Sequence, residues 1–303
     1  MGYEAMVQMS LDTIDRRITE TIRTDELARG ANYALYRFSR VFMQITGFSV
    51  QSYITRRKLE YALYDLSRGR RVIDVAMDYG FGTHAGFTKA FKRCFGYPPS
   101  LYRLHVTAVP PLRATVEGIR KKQEEFTVQV QIREIKPFCV AGYSSRHRMP
   151  GVNGIFDIPV YWDKINLDYG AELSTLHHTY EKSHHCEVGL CFDIDNENEC
   201  FTYMMGVGVD PADLDTPLRP GVSLYQIEGG VYAVFTTPRV DEDEYTRSIL
   251  DTWKEILTNW LPSSEYIYDT QRMAFEYYDE RDHAWLHEGK SCMDIFIPIC
   301  RKA

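Results

Sequence analysis

The stretch Phe38-Ser39-Arg40-Val41-Phe42 decides how the first part of the chain folds, because it recurs 49 residues later as Phe87-Thr88-Lys89-Ala90-Phe91. In each copy two aromatic residues stand four positions apart with a small apolar residue between them, which is the spacing of the buried stripe of a short helix. Gly47 and Gly96 follow the two copies at the same distance. Because glycine adopts the left-handed helix cap without a steric penalty, we expect both helices to end there. One structural unit is therefore predicted twice.

A second short segment with helical periodicity precedes each copy, at residues 25–29 and 73–78, and a break containing glycine separates the two. The order helix, turn, helix is typical of proteins that place the second helix in the major groove of DNA. Residues 49–67 read as a longer helix, capped by Ser49, that fixes the spacing of the two units. Recognition helices held in successive groove turns of roughly 34 Å would let one chain read an asymmetric site.

A helical projection divides each predicted recognition helix into a buried and an exposed face. The first helix buries Phe38, Val41, Phe42 and Ile45 and exposes Tyr36, Arg40 and Met43, and the second buries Phe87, Ala90, Phe91 and Cys94 and exposes Ala85, Lys89 and Lys92. Arg40 and Lys89 occupy equivalent positions and are the best candidates for contacts to guanine or phosphate. Either charge alone would be read as solvated, but the matched pair favours DNA contact. Arg56, Arg57 and Lys58 either contact phosphates or form a solvated face, and the sequence favours neither.

Residues 24–102 resemble the DNA-binding domain of the AraC/XylS transcription regulators, through the run DVAMDYGF at 74–81 and the closing run FKRCFGYPPSLYR at 91–103. The resemblance implies a seven-helix domain whose third and sixth helices read DNA. The candidate DNA-contacting residues are Tyr36, Arg37, Ser39, Arg40, Thr83, His84, Thr88 and Lys89, with Arg56 and Arg57 as phosphate contacts. Ala34 departs from the family pattern, because it stands where a capping serine usually begins the first recognition helix. A missing cap costs about 1 kcal/mol.

The 303 residues are enough for about two domains, and charge is divided unevenly along them. Residues 1–110 carry 16 Lys and Arg against 10 Asp and Glu, net +6, whereas residues 111–303 carry 19 against 32, net −13. A local basic surface is enough to contact phosphates, so the overall charge of −7 does not exclude DNA. The acidic part is not expected to contact DNA and favours a cationic ligand.

Neither a signal-peptide pattern nor an apolar run of about 18 to 20 residues, the length that spans a bilayer, is present in the sequence. Seven cysteines without a Cys-x-x-Cys spacing fit reduced thiols better than a disulfide framework. The sequence therefore predicts a cytoplasmic protein without a membrane partner. The sequence contains no phosphate-binding glycine motif, and no cofactor is predicted. It also contains no Gly-x-Ser-x-Gly nucleophile motif.

The periodicity changes from helical to alternating after Val109-Pro110-Pro111. We therefore predict a DNA-binding domain at 1–108, a linker at 109–125 and a second domain at 126–303. Strands are predicted at 126–134, 138–148, 186–193, 201–209, 230–237, 272–278 and 292–299, and helices at 158–169 and 242–260. The expected fold is multi-domain, with an all-α double helix-turn-helix domain followed by an α+β domain. Its duplicated β-α-β-β halves are expected to merge into one antiparallel sheet with both helices on one face and a cleft near their junction.

Residues 126–301 resemble the GyrI-like effector-binding domain, through GGVYAVF at 229–235, Trp162 on the first helix and FEYY at 275–278. In that family a glutamate on the penultimate strand lies in an aromatic pocket, and Glu276 matches it. By itself a strand carboxylate is more often solvated; the resemblance implies a ligand anchor that attracts cations. The candidate pocket residues are Glu276, Tyr143, Tyr161, Trp162, Tyr203, Tyr225, Tyr278 and Phe296, and each aromatic residue among them can equally be plain core.

The function predicted from these features is a ligand-responsive transcriptional regulator. Its partners would be double-stranded DNA, a small apolar or cationic effector and RNA polymerase. The alternative is a hydrolase of strained electrophilic molecules, as some GyrI-like proteins are thought to be, with Glu276 as general base and Tyr143 or Tyr278 as proton donor. A metal site at His177-His178 and His184-His185-Cys186 is not favoured, because adjacent histidines point in divergent directions.

Overall fold

Helices make up the amino-terminal part of the computed structural model, which describes residues 2–106, 110–121, 129–150, 175–180, 186–209, 218–283 and 286–302. They are α1 (Tyr3–Arg16), α2 (Thr24–Gly30), α3 (Leu35–Thr46), α4 (Val50–Ser67), α5 (Val72–Asp78), α6 (His84–Phe95), α7 (Pro99–His105) and α8 (Val116–Lys121). The third and sixth helices, which carry the repeated stretch, are each 12 residues long. Seven helices therefore lie within residues 2–106, as the resemblance implies. None of the helices in the described ranges is both long and apolar enough to cross a bilayer.

The aromatic stripes of α3 and α6 are buried as predicted. Phe38 and Phe42 on α3 are 0% exposed, and so are Phe87 and Phe91 on α6. Ile45, Ala90 and Cys94, which the projection also places in the core, are only half-buried. The core of each unit therefore depends on two phenylalanine rings one helical turn apart.

The ends of α3 and α6 follow the predicted cap chemistry. Gly47 ends α3 with a left-handed φ of 76°, and Gly96 follows α6 with a φ of 87°. At the start of α3, Ala34 offers no side-chain cap, whereas Ser49 at the start of α4 accepts a hydrogen bond from the Ser52 N–H at 3.2 Å. The predicted loss of one cap at α3 is confirmed.

The chain divides into two compact units, one formed by Met1–Cys94 with Thr107–Thr127 and the other by Phe95–Val106 with Val128–Ala303. Helix α7 therefore lies in the second unit, although the sequence analysis assigned it to the first domain. Helix α8 lies in the segment predicted to be the linker. The domain boundaries 1–108, 109–125 and 126–303 stay predictions.

The second unit is built on one antiparallel sheet, which confirms the predicted fold class. Its strands are β1 (Val130–Ile135), β2 (Phe138–Arg148), β3 (Glu187–Asp195), β4 (Cys200–Val209), β5 (Ser223–Ile227), β6 (Gly230–Thr236), β8 (Tyr266–Tyr268), β9 (Phe275–Tyr278) and β11 (Asp294–Arg301), while β7 (Val240–Asp241) pairs separately with β10 (Lys290–Ser291). The order in the sheet is β1-β6-β11-β9-β3-β4-β2-β5, with β8 paired to the end of β11. After β7 the chain forms α9 (Glu242–Glu255), a π-helical turn (Ile256–Trp260) and α10 (Leu261–Ser263). The predicted helix at 158–169 lies outside the described residues.

The two halves of the sheet are joined in two ways. Strands β3 and β9 pair at the centre, from Glu187 opposite Tyr278 to Leu190 opposite Phe275. At the two outer edges of the sheet, each half contributes a strand to the other half. Strand β1 precedes β2 in the chain but pairs with β6, and β5 precedes β6 but pairs with β2. The sequence analysis did not predict β5, a five-residue strand whose partner lies some 80 residues earlier.

The register of the sheet assigns side chains to its two faces, because directly opposed residues share a face. Phe235, Ile295, Glu276, Gly189, Met205 and Tyr143 form one continuous row across six strands. The adjacent row of Val234, Phe296, Phe275, Leu190 and Met204 lies on the opposite face. Glu276 therefore lies at the junction of the halves, on the face that Trp253 of α9 and Trp260 of the π-helical turn cover.

Candidate functional site

Helices α3 and α6 carry the candidate DNA-contacting residues at matched positions. Arg40 and Lys89 are each the sixth residue of their helix, both are exposed, and neither forms an ion pair within the ranges described above. Tyr36 is 78% exposed and Met43 is 50% exposed on the same side of α3. His84 begins α6. The outer face of each helix is therefore exposed and carries apolar as well as basic side chains, while the phenylalanines of the opposite face hold the helix in the core.

Arg37 and Thr83 also have structural partners. Arg37 donates a hydrogen bond to the Tyr3 hydroxyl and lies over the Tyr3 ring, 5.5 Å from its centroid. That hydrogen bond raises the pKa of Arg37 further above its usual value. Thr83 caps α6, since its Oγ1 accepts from the Gly86 N–H at 3.0 Å. Both residues are exposed, whereas Ser39 and Thr88 are half-buried at the edges of the outer faces of α3 and α6.

Arg57 does not lie on a free basic face. Its Nε donates to Asp15 Oδ1 at 2.7 Å, its Nη2 donates to Asp15 Oδ2 at 2.9 Å, and its Nη1 donates to Glu60 Oε2 at 2.8 Å. Its side chain is only 8% exposed. The guanidinium is therefore committed to holding α4 against α1, so we remove Arg57 from the DNA-contacting set. Arg56 is 23% exposed, pairs with Glu60 at 3.3 Å and lies over the Phe48 ring.

Glu276 is held by two hydrogen-bond donors in the second unit. The indole Nε1 of Trp253 donates to its Oε1 at 2.8 Å, and the hydroxyl of Tyr278 donates to its Oε2 at 2.9 Å. No cationic side chain pairs with this carboxylate in the described part of the chain. The residue as a whole is half-buried. Since a desolvated carboxylate without a counter-charge is unfavourable, an entering cation would be stabilised there.

The electrostatics of Glu276 reflect this environment. Burial raises the pKa of its carboxyl above the usual range, and the hydrogen bonds from Trp253 and Tyr278 oppose that rise without cancelling it. Burial and then the neighbouring Glu276 charge raise the pKa of the Tyr278 hydroxyl well above its ordinary value. The same two causes, in the same order, raise the pKa of Cys191. Both neighbours therefore stay neutral near neutral pH, and neither adds a negative charge beside Glu276.

Gly189 provides space beside Glu276. A Cβ atom at this position would collide with the Tyr203 hydroxyl and stand 3.4 Å from Glu276 Oε2. The missing side chain therefore lets Tyr203, which is 1% exposed, bring its hydroxyl close to the carboxylate from β4. Tyr143 lies on the same face, in the row of Gly189 and Glu276.

Two of the predicted pocket residues lie elsewhere. Phe296 is on the opposite face of the sheet, stacked on Phe275 with ring centroids 4.6 Å apart. Tyr225 packs against the buried cluster that contains Phe275 and Phe296. Its ring centroid lies 4.6 Å from that of Phe192. The reason is strand alternation, which puts Phe296 of β11 and Tyr225 of β5 on the sheet face opposite Glu276. We therefore exclude both residues from the site; Tyr161 and Trp162 lie outside the described residues.

Trp253 was missed as a member of the site. The sequence analysis placed it on the predicted helix 242–260, but its contact with Glu276 joins residues 23 positions apart on different elements. The available signal was the helical spacing of Trp253 and Trp260, which puts both indoles on the side that faces the sheet. His177, weighed earlier as a metal ligand, pairs with Glu187 at 2.9 Å.

Two regions of the chain match known protein families. Residues 27–105 match the family described as helix-turn-helix domain. Residues 131–299, more than half of the chain, match the family described as integron-associated effector binding protein. The matched regions contain α3 and α6 in the first case and Glu276 in the second.

The amino-terminal region is similar to curated transcription regulators. The uncharacterized HTH-type regulator YbfP of Bacillus subtilis (strain 168) is 34% identical over 104 residues, 34% of this chain and 35% of its own length. The transcriptional activator AarP of Providencia stuartii is 36% identical over 95 residues, 31% of this chain and 70% of its own length. The regulatory protein SoxS of Salmonella typhimurium (strain LT2) is 30% identical over 104 residues, 34% of this chain and 97% of its own length. The chain thus spans about a third of YbfP and more than two thirds of AarP and SoxS.

Proposed function

The chain belongs to the integron-associated effector binding protein family and carries an AraC-type helix-turn-helix domain, and on that premise we propose how its two parts act. It is a transcriptional regulator with a DNA-binding and an effector-binding domain. In the proposal, α3 and α6 read two successive major grooves of one asymmetric promoter site. The Glu276 site binds a small, apolar cation, whose binding changes DNA affinity or the contact with RNA polymerase.

The DNA-binding part of the proposal is supported by the matched faces of α3 and α6. Arg40 and Lys89 occupy the same position in two helices of equal length, and both are exposed. Arginine and lysine are the residues that most often contact the O6 and N7 atoms of guanine. Because the two faces differ in sequence at every other contact position, each helix would read different bases, which makes the site asymmetric.

The ligand-binding part is carried by one observation, the pair of hydrogen bonds that Trp253 and Tyr278 donate to a carboxylate without a cationic partner in the described ranges. The two donors orient Glu276 but leave its negative charge uncompensated. Aromatic rings of Trp253, Tyr278 and Tyr203 surround it and add cation–π attraction, which is strongest in a desolvated site. A flat or bulky organic cation fits this chemistry better than a hydrated metal ion, because it loses little hydration on entry.

The proposed ligand class is tested with methyltriphenylphosphonium and with its neutral counterpart triphenylphosphine oxide. Binding to the full chain is followed by tryptophan fluorescence, since all four tryptophans lie beyond residue 126. Glu276→Gln should weaken cation binding about tenfold, or about 1.4 kcal/mol, while neutral binding changes little. Glu244→Gln, an exposed carboxylate on α9, is the matched control. Equal loss for cation and neutral molecule would show that Glu276 has a packing role.

The hydrolase alternative rests on the same hydrogen bond between Tyr278 and Glu276, which would supply a proton donor beside a general base. The matched regulators favour binding over turnover. Incubating the full chain with an epoxide or a cyclopropyl ketone and analysing for hydrolysis products separates the two functions. We expect no product beyond the uncatalysed rate, and product that disappears in Glu276→Gln would establish the enzyme.

A further inference from the structure

Helix α7 joins the region matched as helix-turn-helix domain to the effector-binding unit. The match ends at residue 105, the last residue of α7, yet residues 95–106 make their contacts as part of the second unit. The Tyr268 N–H of β8 donates to the Gly96 carbonyl oxygen at 2.7 Å. Leu104 packs in the same buried cluster as Tyr203 and Met205, on the sheet face that carries Glu276.

His105, at the end of α7, stacks on Trp253. The two ring centroids are 3.6 Å apart and the planes differ by 11°. Trp253 is 1% exposed, and its indole N–H donates to Glu276 Oε1 at 2.8 Å. Burial lowers the pKa of His105 to about 3, so its ring is neutral near neutral pH and the stack is a contact between two uncharged rings. His105, Trp253 and Glu276 thus form a continuous chain of contacts from α7 to the ligand site.

We propose that His105 is a positioning residue of the effector site, which holds Trp253 against Glu276 and ties the occupancy of that site to α7. This inference rests on the proposed function of Glu276. A cation at the carboxylate competes with or reorients the Trp253 N–H, because both act on the same oxygen atoms. The indole fills a close-packed position, so a shift of its ring displaces the stacked His105 ring.

The displacement reaches a DNA-reading element through the chain itself. Helix α6 ends at Phe95 and α7 begins at Pro99, so only three residues separate the recognition helix from the helix that bears His105. Tyr97, within that connection, is 0% exposed, and Gly96 is hydrogen-bonded to Tyr268, which leaves the connection little freedom to absorb a movement. Effector occupancy is thereby coupled to the end of α6.

The test uses the full chain, methyltriphenylphosphonium as the probe and a duplex of about 30 base pairs, roughly three helical turns, selected by the wild-type protein from a random library. The measured quantity is the ratio of DNA dissociation constants with and without saturating cation. In the wild type, we expect saturating cation to change the DNA dissociation constant by about fivefold or more. His105→Ala should bring the ratio close to one, His105→Phe should restore most of it by stacking on Trp253, and the exposed His178→Ala should keep it.

Each remaining outcome has a distinct meaning. Loss of cation binding in His105→Ala with recovery in His105→Phe also supports the inference, because the ring then holds Trp253 in its binding position. An unchanged ratio in His105→Ala, or a loss in His105→Phe as large as in His105→Ala, overturns it. A wild-type protein that binds the cation but shows a ratio of one overturns the inference alone. Absence of cation binding to the wild type overturns the proposed ligand site and the inference together.

Discussion

At the scale of single residues, Glu276 and Arg57 show how burial separates two roles of charged side chains. Arg57 lies between Asp15 and Glu60 and uses its charge to connect helices. Glu276 is also largely removed from bulk water, but its partners are neutral donors, Trp253 and Tyr278. A charge compensated inside the fold stabilises structure, whereas one left uncompensated beside an accessible site is available to a ligand.

The raised pKa of Glu276 predicts how cation binding depends on pH. Only the ionised carboxylate attracts a cation, so affinity falls as pH decreases through the raised pKa, above the value of about 4.3 for an ordinary glutamate. The pKa of Tyr278 lies well above its usual value and that of His105 is about 3, so neither group titrates between pH 8 and about 5. Fluorescence titration with methyltriphenylphosphonium from pH 8 downward through the pKa of an ordinary glutamate, about 4.3, checks the prediction. A flat affinity profile, or a parallel fall for triphenylphosphine oxide, would contradict it.

Arg57→Ala is predicted to destabilise the first unit, because it leaves the Asp15 carboxylate, 12% exposed, without its bidentate partner. Breaking a buried pair in this way costs about 3 to 5 kcal/mol. Arg56→Ala, the neighbouring and more exposed arginine, should cost less than about 1 kcal/mol. Urea denaturation of the full chain measures both variants. Equal losses of unfolding free energy in the two variants would show that Arg57 does not hold α4 against α1 and belongs to an exposed basic face.

At the scale of elements, α3 and α4 allow a matched test of helix capping. Ala34 and Ser49 precede their helices with nearly the same backbone, φ −63° and ψ 138° against φ −62° and ψ 152°, but only Ser49 provides a cap. Ala34→Ser should therefore stabilise the chain by about 1 kcal/mol, and Ser49→Ala should destabilise it by a similar amount. Thermal denaturation of both variants measures the effect. An Ala34→Ser variant no more stable than the wild type would mean that the start of α3 is held in another way.

Elements were predictable where their signals are local. The i, i+4 phenylalanines and the terminal glycines defined α3 and α6, and alternation located β2 to within a residue. Strand β5 was missed because its pairing with β2 depends on an exchange between halves, which no short window of sequence records. The face of Phe296 was misjudged for a related reason, since the row to which a residue belongs is fixed by the register with β9.

At the scale of the whole molecule, the candidate sites were only partly visible in the sequence. Duplication identified Arg40 and Lys89, and the family resemblance identified Glu276. Trp253 and His105 were not found from the sequence. Trp253 reaches the carboxylate from α9, 23 residues away along the chain, and His105 on α7 stacks on Trp253. Such contacts form only when the elements pack against each other, so the spacing of residues along the sequence does not predict them.

The division of charge belongs to the same scale. Residues 1–110 carry net +6 and the remainder net −13, so we expect the phosphate contacts of the proposed DNA complex to come from the first part of the chain. Contacts of this kind release counterions, and the logarithm of DNA affinity should fall linearly and steeply with the logarithm of salt concentration. In the proposal, the exposed Arg40 and Lys89 contribute to that slope, whereas Arg57 is already neutralised by Asp15 and Glu60.

Hydroxyl-radical footprinting of the full chain on its selected duplex tests most directly the claim that α3 and α6 read DNA side by side. The wild type should protect two stretches on one face of the duplex, about 10 base pairs apart. Arg40→Ala should weaken one stretch and Lys89→Ala the other. A single protected stretch, or the loss of the same stretch in both variants, would contradict the account.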